Sequence, residues 1–192
     1  MHSNEKVSEI AKKIKLLILD VDGVLTDGGM YFNDKGTELK NFNSLDGHGI
    51  KMLMESGLEV AVITARSTQS VSYRLESLGV KNYYHGIANK SIALAELTEK
   101  LSINANESAY VGDDVIDLPV MSKVALPIAV ANAHDFVKNH AIAITDTCGG
   151  QGAVREVCDQ LLSAQDRYDS LMDSYLKCWL LYNYTSAHNY QN

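Results

Sequence analysis

Short apolar runs alternate with amphipathic stretches along most of this chain. Strands are predicted at residues 15–21, 58–64, 108–112, 124–130 and 141–144, with a shorter one at 83–85. Most of these runs are apolar at every position, which is typical of strands buried on both faces of a parallel sheet. Because amphipathic stretches separate the runs, the pattern predicts an α/β fold with a Rossmann-like, doubly wound parallel sheet.

Apolar residues that recur on one face predict helices between the strands. The stripes are Val71, Leu75 and Leu78 in one stretch and Leu94, Leu97 and Leu101 in another. Spacings of three or four residues put the members of each stripe on one side of a helix. Gly79 is predicted to end the first helix, and Asp46 and Asn89 are predicted N-caps.

One insertion interrupts the alternation of strands and helices. Residues 30–33 and 37–42 flank the turn sequence DKG, which predicts a β-hairpin within about residues 28–42. The hairpin comes directly after an acidic loop at residues 20–27. Its position alone leaves two interpretations open: it overhangs a site at that loop, or it is an edge hairpin without a role in function.

The C-terminal part of the chain carries another apolar stripe. It consists of Tyr168, Leu171, Met172, Tyr175, Leu176 and Trp179. These spacings predict an amphipathic helix, whose apolar face either packs on its own domain or mediates self-association. The chain is therefore divided into an N-terminal extension (residues 1–14), a main α/β domain (15–165), and a C-terminal helix and tail (166–192).

Composition and charge limit the class of protein. The 192 residues suffice for one domain with a sizeable core, and 46% apolar and 21% charged residues are typical of globular proteins. The net charge of −7 disfavours a nucleic-acid partner, because such proteins usually carry a positive field. The sequence lacks a run of about eighteen apolar residues, so we expect no membrane span.

Cysteine usage and the N-terminus predict a cytoplasmic location. Cys148, Cys158 and Cys178 are scattered and form no CxxC motif, which fits reduced thiols better than a disulfide framework. Residues 1–13 are polar and lack the apolar centre of a signal peptide. We therefore expect the protein to remain in the cytoplasm.

Charged and hydroxyl side chains follow the predicted strands where those strands end. They are Asp20 and Asp22 after the first strand, Thr64 and Arg66 after the second, Lys90 after the third, and Asp113, Asp114 and Asp117 after the fourth. Ligands of doubly wound sheets bind at the carboxyl ends of strands, so we expect these side chains to meet there. Neighbouring carboxylates favour a hard cation between them, and the whole set predicts a phosphate site built around Mg²⁺.

These residue types suit the steps of phosphoryl transfer. Asp20 is nearest the rigid strand and is the candidate nucleophile, since carboxylates form aspartyl-phosphate intermediates. Asp22 is the candidate acid that protonates the leaving alcohol and the base that later activates water. Thr64 and Lys90 are expected to bind the phosphoryl group. Asp113 is expected to complete a metal site with Asp20 and Asp22.

Other polar residues near the strand ends are expected to have less direct roles. Asp117 is predicted to orient Lys90 or a metal-bound water from behind. Asp114 is predicted to be a structural charge at the start of a helix. His48 and His85 are expected to be ordinary polar residues, because no pair of histidines has the spacing of metal ligands.

Taken together, these motifs resemble those of the haloacid dehalogenase superfamily of phosphohydrolases. The matching segments are residues 20–27 (DVDGVLTD), 63–66 (ITAR), Lys90 and residues 112–117 (GDDVID). Further segments are similar to those of the 3-deoxy-D-manno-octulosonate 8-phosphate phosphatases, a capless family within that superfamily. These are residues 46–50, Arg66 with Arg74, Gly86 before Lys90, and residues 149–156. The resemblance covers about residues 15–165.

The resemblance implies a Mg²⁺-dependent phosphatase that releases a free sugar acid for lipopolysaccharide synthesis. It implies Asp20 as nucleophile and Asp22 as acid and base, with Asp20, the main-chain carbonyl of Asp22, and Asp113 as metal ligands. The implied substrate contacts are Asp22, Asn43, Ser44, Leu45, Asp46, Gly47, Arg66, Arg74 and Lys90. It also implies a homotetramer, with the hairpin at the subunit interface and a neighbouring C-terminal segment that closes the site.

Two positions depart from the family pattern. Leu45 stands where many relatives carry a basic residue, and Gln151 stands where relatives often have an arginine. Two alternatives to a phosphatase of the eight-carbon sugar acid stay open. One is the same reaction on a nine-carbon nonulosonate 9-phosphate. The other is a non-catalytic, oligomeric regulatory module, whose expected signature, loss of Asp20, Asp22 or Lys90, is not found in the sequence.

Overall fold

The computed structural model describes residues 5–177 as one α/β domain. In chain order, the elements are α1 (Glu5–Ala11), β1 (Leu16–Leu19), β2 (Tyr31–Phe32), β3 (Glu38–Leu39), α2 (Ser44–Glu55), β4 (Glu59–Ile63), α3 (Gln69–Leu78), β5 (Asn82–Tyr84), α4 (Lys90–Leu101), β6 (Ser108–Gly112), α5 (Leu118–Met121), β7 (Leu126–Ala129), α6 (Asp135–Lys138), β8 (Ala143–Ile144) and α7 (Ala153–Ala164). Residues 168–177 form a further helix, α8. Short 3₁₀ turns precede β6 and α5.

Six of the strands form one parallel sheet in the order β5-β4-β1-β6-β7-β8. The first strand lies in the middle, and Leu16 at its start pairs with Glu59 of β4 and with Ser108 of β6. All four residues of β1 are buried, as expected for a strand that is covered on both faces. The predicted α/β fold with a doubly wound parallel sheet is confirmed. Strands β4 and β5 lie on one side of β1, and β6, β7 and β8 lie on the other. The strand order therefore reverses at β1, and the carboxyl end of β1 is the switch point where such sheets bind ligands.

The N-terminal helix is part of the domain over its described residues. Val7, Ala11 and Ile14 are each no more than 4% exposed. Gln165 Nε2, just after α7, donates hydrogen bonds to the carbonyl oxygens of Ala11 at 3.1 Å and Ile14 at 2.8 Å. Residues 5–14 are therefore packed against the end of α7, and their apolar side chains join the core.

Helix ends follow local chemistry, with one exception to the prediction. Asn89 caps α4, where its side chain accepts from Ser91 N, and Gly79 ends α3 in the left-handed region at φ 81°. The predicted cap at Asp46 is wrong. Helix α2 begins earlier, because Asn43 is its N-cap and accepts from Leu45 N.

The predicted hairpin is present as the two-stranded antiparallel pair β2 and β3, in which Tyr31 faces Leu39 and Phe32 faces Glu38. Its strands are shorter than predicted, and a bridge between Thr26 and Phe42 closes its base. Among the described residues, this pair is the one sheet apart from the six-stranded sheet. The site at the strand ends therefore has a hairpin beside it.

The C-terminal stripe packs in part on its own domain, where Tyr175 also contacts the His48 ring, and self-association through the remainder stays a prediction. Tyr168, Leu171 and Met172 of α8 are partly buried against the core of the same chain. Tyr175 and Leu176 are 43% and 57% exposed. Trp179, the last member of the stripe, lies outside the described residues. Within residues 5–177, no helix has the length and apolar character that a membrane crossing needs.

Candidate active site

A buried pair of opposite charges lies at the carboxyl end of the central strand. Asp20, which follows β1, is 3% exposed, and Lys90, the first residue of α4, is 2% exposed. Lys90 Nζ lies 2.7 Å from Asp20 Oδ1 and 2.7 Å from Asp117 Oδ1. The cap at Asn89 fixes the start of α4 and thereby the position from which Lys90 projects. The structure thus brings together Asp20, Lys90 and Asp117 from separate strand ends.

Burial changes the proton affinities of these groups. It raises the pKa of Asp20 to about 7; Asp117 adds to the rise and Lys90 opposes it. The pKa of Asp113 is also raised to about 7, first by burial and then by the charges of Asp20 and Asp117. Burial alone would lower the pKa of Lys90, but the two adjacent carboxylates outweigh it and raise that pKa. The site therefore holds more negative charge than one ammonium neutralises.

The donor atoms in the site fit a divalent cation such as Mg²⁺. Carboxylate oxygens of Asp20, Asp113 and Asp117 lie within 4.8 Å of one another. Gly23 leaves the space that Asp113 occupies, since its φ is +81° and a Cβ there would lie 2.1 Å from Asp113 Oδ2. Mg²⁺ prefers oxygen ligands, and the raised pKa values of Asp20 and Asp113 indicate charge that a cation would relieve.

A single pocket is lined by five of the predicted site residues. They are Asp20, Asp22, Thr64, Arg66 and Asp113. Thr64 directly follows β4 and is 2% exposed, and its Oγ1 accepts a hydrogen bond from Arg66 N at 3.2 Å. The Arg66 side chain is 45% exposed and lies at the entrance. The pocket thus has carboxylates at its base, a hydroxyl in its wall and a cation at its entrance.

Four charged side chains, which we call the mouth cluster, join the hairpin to the strand ends: Asp22, Glu38, Lys40 and Arg66. Lys40 Nζ contacts Asp22 Oδ1 and lies 2.6 Å from Glu38 Oε1. Arg66 Nη2 lies 2.8 Å from Glu38 Oε2, and its Nε lies 3.9 Å from Asp22 Oδ2. The Lys40 side chain is only 1% exposed, and its ammonium holds the pKa of Glu38 below the usual range. Because two cations face two carboxylates, the cluster is electrically balanced.

The sequence reasoning missed Lys40 and Glu38. Residues two apart on a strand project from the same face, so the spacing of this pair was a signal that both point the same way. Polar side chains occur on both faces of this short strand, however, and the pattern therefore did not reveal which face meets the site. The acidic loop at residues 20–27 was a further signal, since carboxylates removed from water need cationic partners and a lysine of the adjacent hairpin can supply one.

Several of the predicted substrate contacts form a separate group at the first turn of α2, and none of them is among the residues that line the pocket. Arg74 Nη2 donates to the Asn43 carbonyl at 3.4 Å, and Asn43 Nδ2 donates to the Gly150 carbonyl at 3.4 Å. Gly47 makes room for Arg74, since a Cβ on Gly47 would lie 2.1 Å from Arg74 Nη2. Ser44 and Leu45 are exposed on the same turn, and Leu45 is 55% exposed.

Asp46 is bound to the start of α7 and is not among the residues that line the pocket. It is 1% exposed, and its Oδ1 accepts a hydrogen bond from Arg155 N at 2.8 Å in the first turn of α7. The N-cap residue of that helix is Gly152, which offers no side-chain cap. Burial raises the pKa of Asp46, and the backbone N–H groups of α7 oppose the rise. Asp46 thus caps a helix distant in sequence, and the structure does not bring it to the substrate pocket.

The glycine-rich segment before α7 supports the loop that carries Asp22. Gly150 N donates to the Val24 carbonyl at 2.9 Å. A Cβ on Gly149 would lie 1.6 Å from the Gly23 carbonyl oxygen, so only glycine permits this approach. In the single chain, this segment therefore has a structural role behind the acidic loop.

Comparison with known proteins agrees with the chemistry of the site. Residues 84–156 match the model of the haloacid dehalogenase-like hydrolase family. The chain is 52% identical over 159 residues to the 3-deoxy-D-manno-octulosonate 8-phosphate phosphatase KdsC of Salmonella typhi. The aligned residues cover 83% of this chain and 85% of that protein.

Solved structures agree with this assignment. The phosphatase of the same name from Yersinia pestis has a TM-score of 0.85 and 45% identity, covering 86% of this chain and 89% of that one. The one from Moraxella catarrhalis, in complex with magnesium, phosphate and KDO, has a TM-score of 0.87 and 40% identity, covering 91% and 99%. At these identities and coverages, the chain belongs to the family of 3-deoxy-D-manno-octulosonate 8-phosphate phosphatases, within the haloacid dehalogenase-like hydrolases.

Proposed function

We propose that this chain is a Mg²⁺-dependent phosphatase that hydrolyses 3-deoxy-D-manno-octulosonate 8-phosphate to the free sugar acid and phosphate. The observation that carries the proposal is the buried pairing of Asp20 with Lys90, at 2.7 Å, beneath a pocket that Asp20 lines together with Thr64 and Asp113. A carboxylate nucleophile, a cation and a hydroxyl in one enclosed site are the groups that phosphoryl transfer through an aspartyl phosphate requires. The activity of the relatives supports the choice of substrate.

In the first step, an oxygen of the Asp20 carboxylate attacks phosphorus and the bond from phosphorus to the sugar oxygen breaks. Lys90 is already directed at Asp20 and offsets negative charge as the phosphoryl group arrives. Thr64 Oγ1 and nearby backbone N–H groups bind phosphoryl oxygens. Asp22 donates a proton to the leaving sugar oxygen, so that an alcohol and not an alkoxide departs.

In the second step, water hydrolyses the aspartyl phosphate. Asp22, now a carboxylate, accepts a proton from the water as its oxygen attacks phosphorus, and the bond from phosphorus to Asp20 breaks. Phosphate leaves and Asp20 is restored. Asp20, the main-chain carbonyl of Asp22, and Asp113 would hold Mg²⁺, which supplies positive charge that lowers the repulsion between Asp20 and the phosphate.

The entrance of the pocket carries the groups for the sugar acid. Arg66 is the most exposed cation there, at 45%, and we assign it to an anionic or hydroxyl group of the substrate. Arg74 of α3 is assigned to the same end of the substrate, because its guanidinium contacts the Asn43 carbonyl at the start of α2. Leu45 gives that turn an apolar side chain, so Arg66 carries more of the recognition of the substrate carboxylate.

We infer that the working form is a homotetramer in which the hairpin contributes to the interface. Four apolar side chains of the hairpin region are exposed, namely Met30 at 50%, Tyr31 at 45%, Phe32 at 59% and Leu39 at 50%. Apolar side chains grouped on a small surface element are typical of an interaction site. A second copy that covers them would also reduce the access of water to the mouth cluster.

We also assign the enzyme to the cytoplasm and to lipopolysaccharide biosynthesis. Cys148 and Cys158 are free thiols, which fits a reducing compartment. The free sugar acid released by the proposed reaction is a component for lipopolysaccharide assembly, and the relatives' activity as 3-deoxy-D-manno-octulosonate 8-phosphate phosphatases supports this role.

The test is phosphate release with Mg²⁺ from three substrates: the eight-carbon sugar-acid phosphate, a nine-carbon nonulosonate 9-phosphate and a simple hexose phosphate. The proposal predicts a kcat/KM for the eight-carbon compound at least tenfold above that for the other two, since differences in a few contacts are worth about that factor. A preference for the nine-carbon compound would mean that the nonulosonate 9-phosphate is the substrate. No turnover of any of the three would contradict the proposal and favour a regulatory role.

A further inference from the structure

A buried tyrosine lies directly behind the catalytic pair and has no part in the reaction as proposed. Tyr110 is in the middle of β6, where it pairs with Ile18 of β1, and it is 0% exposed. A hydroxyl buried in the middle of a sheet is costly unless it is hydrogen-bonded. The Tyr110 hydroxyl donates to Asp117 Oδ1 at 2.6 Å. The phenol thus reaches from the core to the rear of the site.

The carboxylate that Tyr110 contacts is satisfied by protein donors. Asp117 Oδ1 accepts from the Tyr110 hydroxyl and from Lys90 Nζ, and Oδ2 accepts from the backbone N–H groups of Asp113 at 3.0 Å and Asp114 at 3.4 Å. Although Asp117 is close enough to Asp20 and Asp113 to share a cation, both of its oxygens already have donors. Asp117 is therefore an anchor for Lys90 and not a further ligand.

The direction of each hydrogen bond around Lys90 is determined by chemistry. Lys90 Nζ contacts Asp20 at 2.7 Å, Asp117 at 2.7 Å and the Tyr110 oxygen at 3.2 Å. An ammonium has three N–H donors and no acceptor, so these contacts use all of its donors. An ionised carboxylate can only accept. Hence, the phenol must accept from Lys90 and donate to Asp117, which closes a ring of three hydrogen-bonded groups.

The phenol keeps the proton that this arrangement needs. Burial, followed by the negative charges of Asp117 and Asp20, raises the pKa of Tyr110 well above its usual range. The hydroxyl therefore stays protonated, and a donor, at neutral pH. Phenylalanine in its place would leave the ring but would remove one donor from Asp117 and one acceptor from Lys90.

We propose that Tyr110 is a positioning residue for the phosphatase reaction, acting through Asp117 to hold the Lys90 ammonium against Asp20. The assignment rests on the proposed function, in which Lys90 offsets charge on Asp20 and the incoming phosphoryl group. Without the hydroxyl, Asp117 Oδ1 has Lys90 as its remaining donor and draws the ammonium away from Asp20. Charge compensation at the nucleophile is then weaker when phosphorus is attacked.

The test is Tyr110→Phe, assayed with the eight-carbon sugar-acid phosphate and with an aryl phosphate. We expect kcat/KM to fall about tenfold or more with both substrates, because a hydrogen bond in a charged network is worth at least that factor. The two losses should be equal, since Lys90 acts on the nucleophile and the phosphoryl group and not on the leaving oxygen. Tyr84→Phe is the matched control, because that phenol is half-buried on β5 beside Glu96 and outside the site.

A double-mutant cycle separates positioning from a general effect on the fold. If Tyr110 acts through Asp117, Tyr110→Phe combined with Asp117→Asn should lose no more activity than Asp117→Asn alone. Losses that multiply would overturn the assignment, as would a Tyr110→Phe variant that is as active as the Tyr84→Phe control. If Tyr110→Phe does not melt cooperatively, Tyr110→Met removes the same hydroxyl with a side chain that adapts to buried space, and the same loss is expected.

The aryl phosphate keeps this test separate from that of the substrate. If the wild-type enzyme hydrolyses the aryl phosphate but not the sugar-acid phosphate, the proposed substrate is wrong, and Tyr110 is judged on the aryl phosphate alone. If it hydrolyses neither with Mg²⁺, both proposals are contradicted. A fully active Tyr110→Phe enzyme that retains the sugar preference would overturn only the inference about Tyr110.

Discussion

Lys40 of the hairpin contacts the carboxylate of Asp22, the third residue after the central strand β1, and does so with a side chain that is only 1% exposed. The contact joins the one insertion in the fold to the proposed acid and base of the reaction. Glu38 holds Lys40 from the other side at 2.6 Å. The hairpin is therefore connected to the chemistry as well as to the exposed apolar surface.

Replacing Lys40 should impair turnover more than folding. In Lys40→Met, Asp22 loses its nearest cation and the contact that fixes its side chain, so we expect kcat to fall about tenfold. Steady-state kinetics with the sugar-acid phosphate measures the effect. Lys35→Met is the matched control, because Lys35 lies in the exposed hairpin turn. Equal activity of the two variants would mean that Asp22 is oriented without Lys40.

Asp46 should behave as a helix cap and not as a substrate contact. Its carboxylate accepts from Arg155 N at 2.8 Å at the start of α7. For Asp46→Ala we expect a loss of about 1–2 kcal/mol in the free energy of unfolding, since α7 loses its N-terminal acceptor. Urea denaturation measures the loss, and KM for the sugar-acid phosphate should stay within about twofold at temperatures where the variant is folded. A large rise in KM with unchanged stability would return Asp46 to the substrate contacts.

The stabilising effect of Mg²⁺ should grow with pH. In the metal-free chain, Asp20 and Asp113 have pKa values of about 7, and in the unfolded chain carboxyl groups titrate near pH 4. The folded state therefore binds more protons between these values, and its stability falls as the pH rises from about 4 to about 7. Mg²⁺ binds the ionised carboxylates and opposes that loss. Melting with Mg²⁺ and with EDTA at pH about 5, 7 and 8.5 should give a widening gap in Tm. A constant gap would argue against these two carboxylates as ligands.

The hairpin should control assembly. Phe32 is 59% exposed on β2 beside Tyr31, so Phe32→Glu introduces a charge into the proposed interface. If the protein assembles as the proposed tetramer, we expect this variant to form smaller species, as measured by light scattering after size-exclusion chromatography. Phe136→Glu is a suitable control, since Phe136 is similarly exposed, at 52%, but lies on α6. An unchanged mass for Phe32→Glu would exclude the hairpin from the interface.

The sequence predicted those parts of the fold that depend on local pattern. Apolar runs such as residues 15–21 revealed the buried strands, and Asp20, Thr64, Lys90 and Asp113 could be expected at one edge of the sheet, because parallel strands share a carboxyl end. The turn sequence at residues 34–36 revealed the hairpin. For the strands and the hairpin, the signal and the structure lie within a few residues of each other, and the meeting of the strand ends follows from the parallel arrangement of the strands.

What the sequence did not reveal depends on contacts between distant segments. Asp46 looked like an N-cap of its own helix, but a turn about one hundred residues later brings the start of α7 to it. Lys40 was not singled out, because its role depends on how the hairpin lies against Asp22 of the acidic loop. Tyr110 was hidden within an apolar run, where its ring fits the core and its hydroxyl has no local partner.

Chemical trapping of the phosphorylated enzyme tests the central claim most directly. Enzyme quenched during turnover and treated with borohydride should have an aspartyl phosphate reduced to homoserine, which mass spectrometry locates to one residue. We predict homoserine at position 20 in the wild-type enzyme, and we predict that Asp20→Asn has neither this product nor more than about a thousandth of wild-type turnover. Modification of another residue, or turnover that persists in Asp20→Asn, would contradict the proposed mechanism.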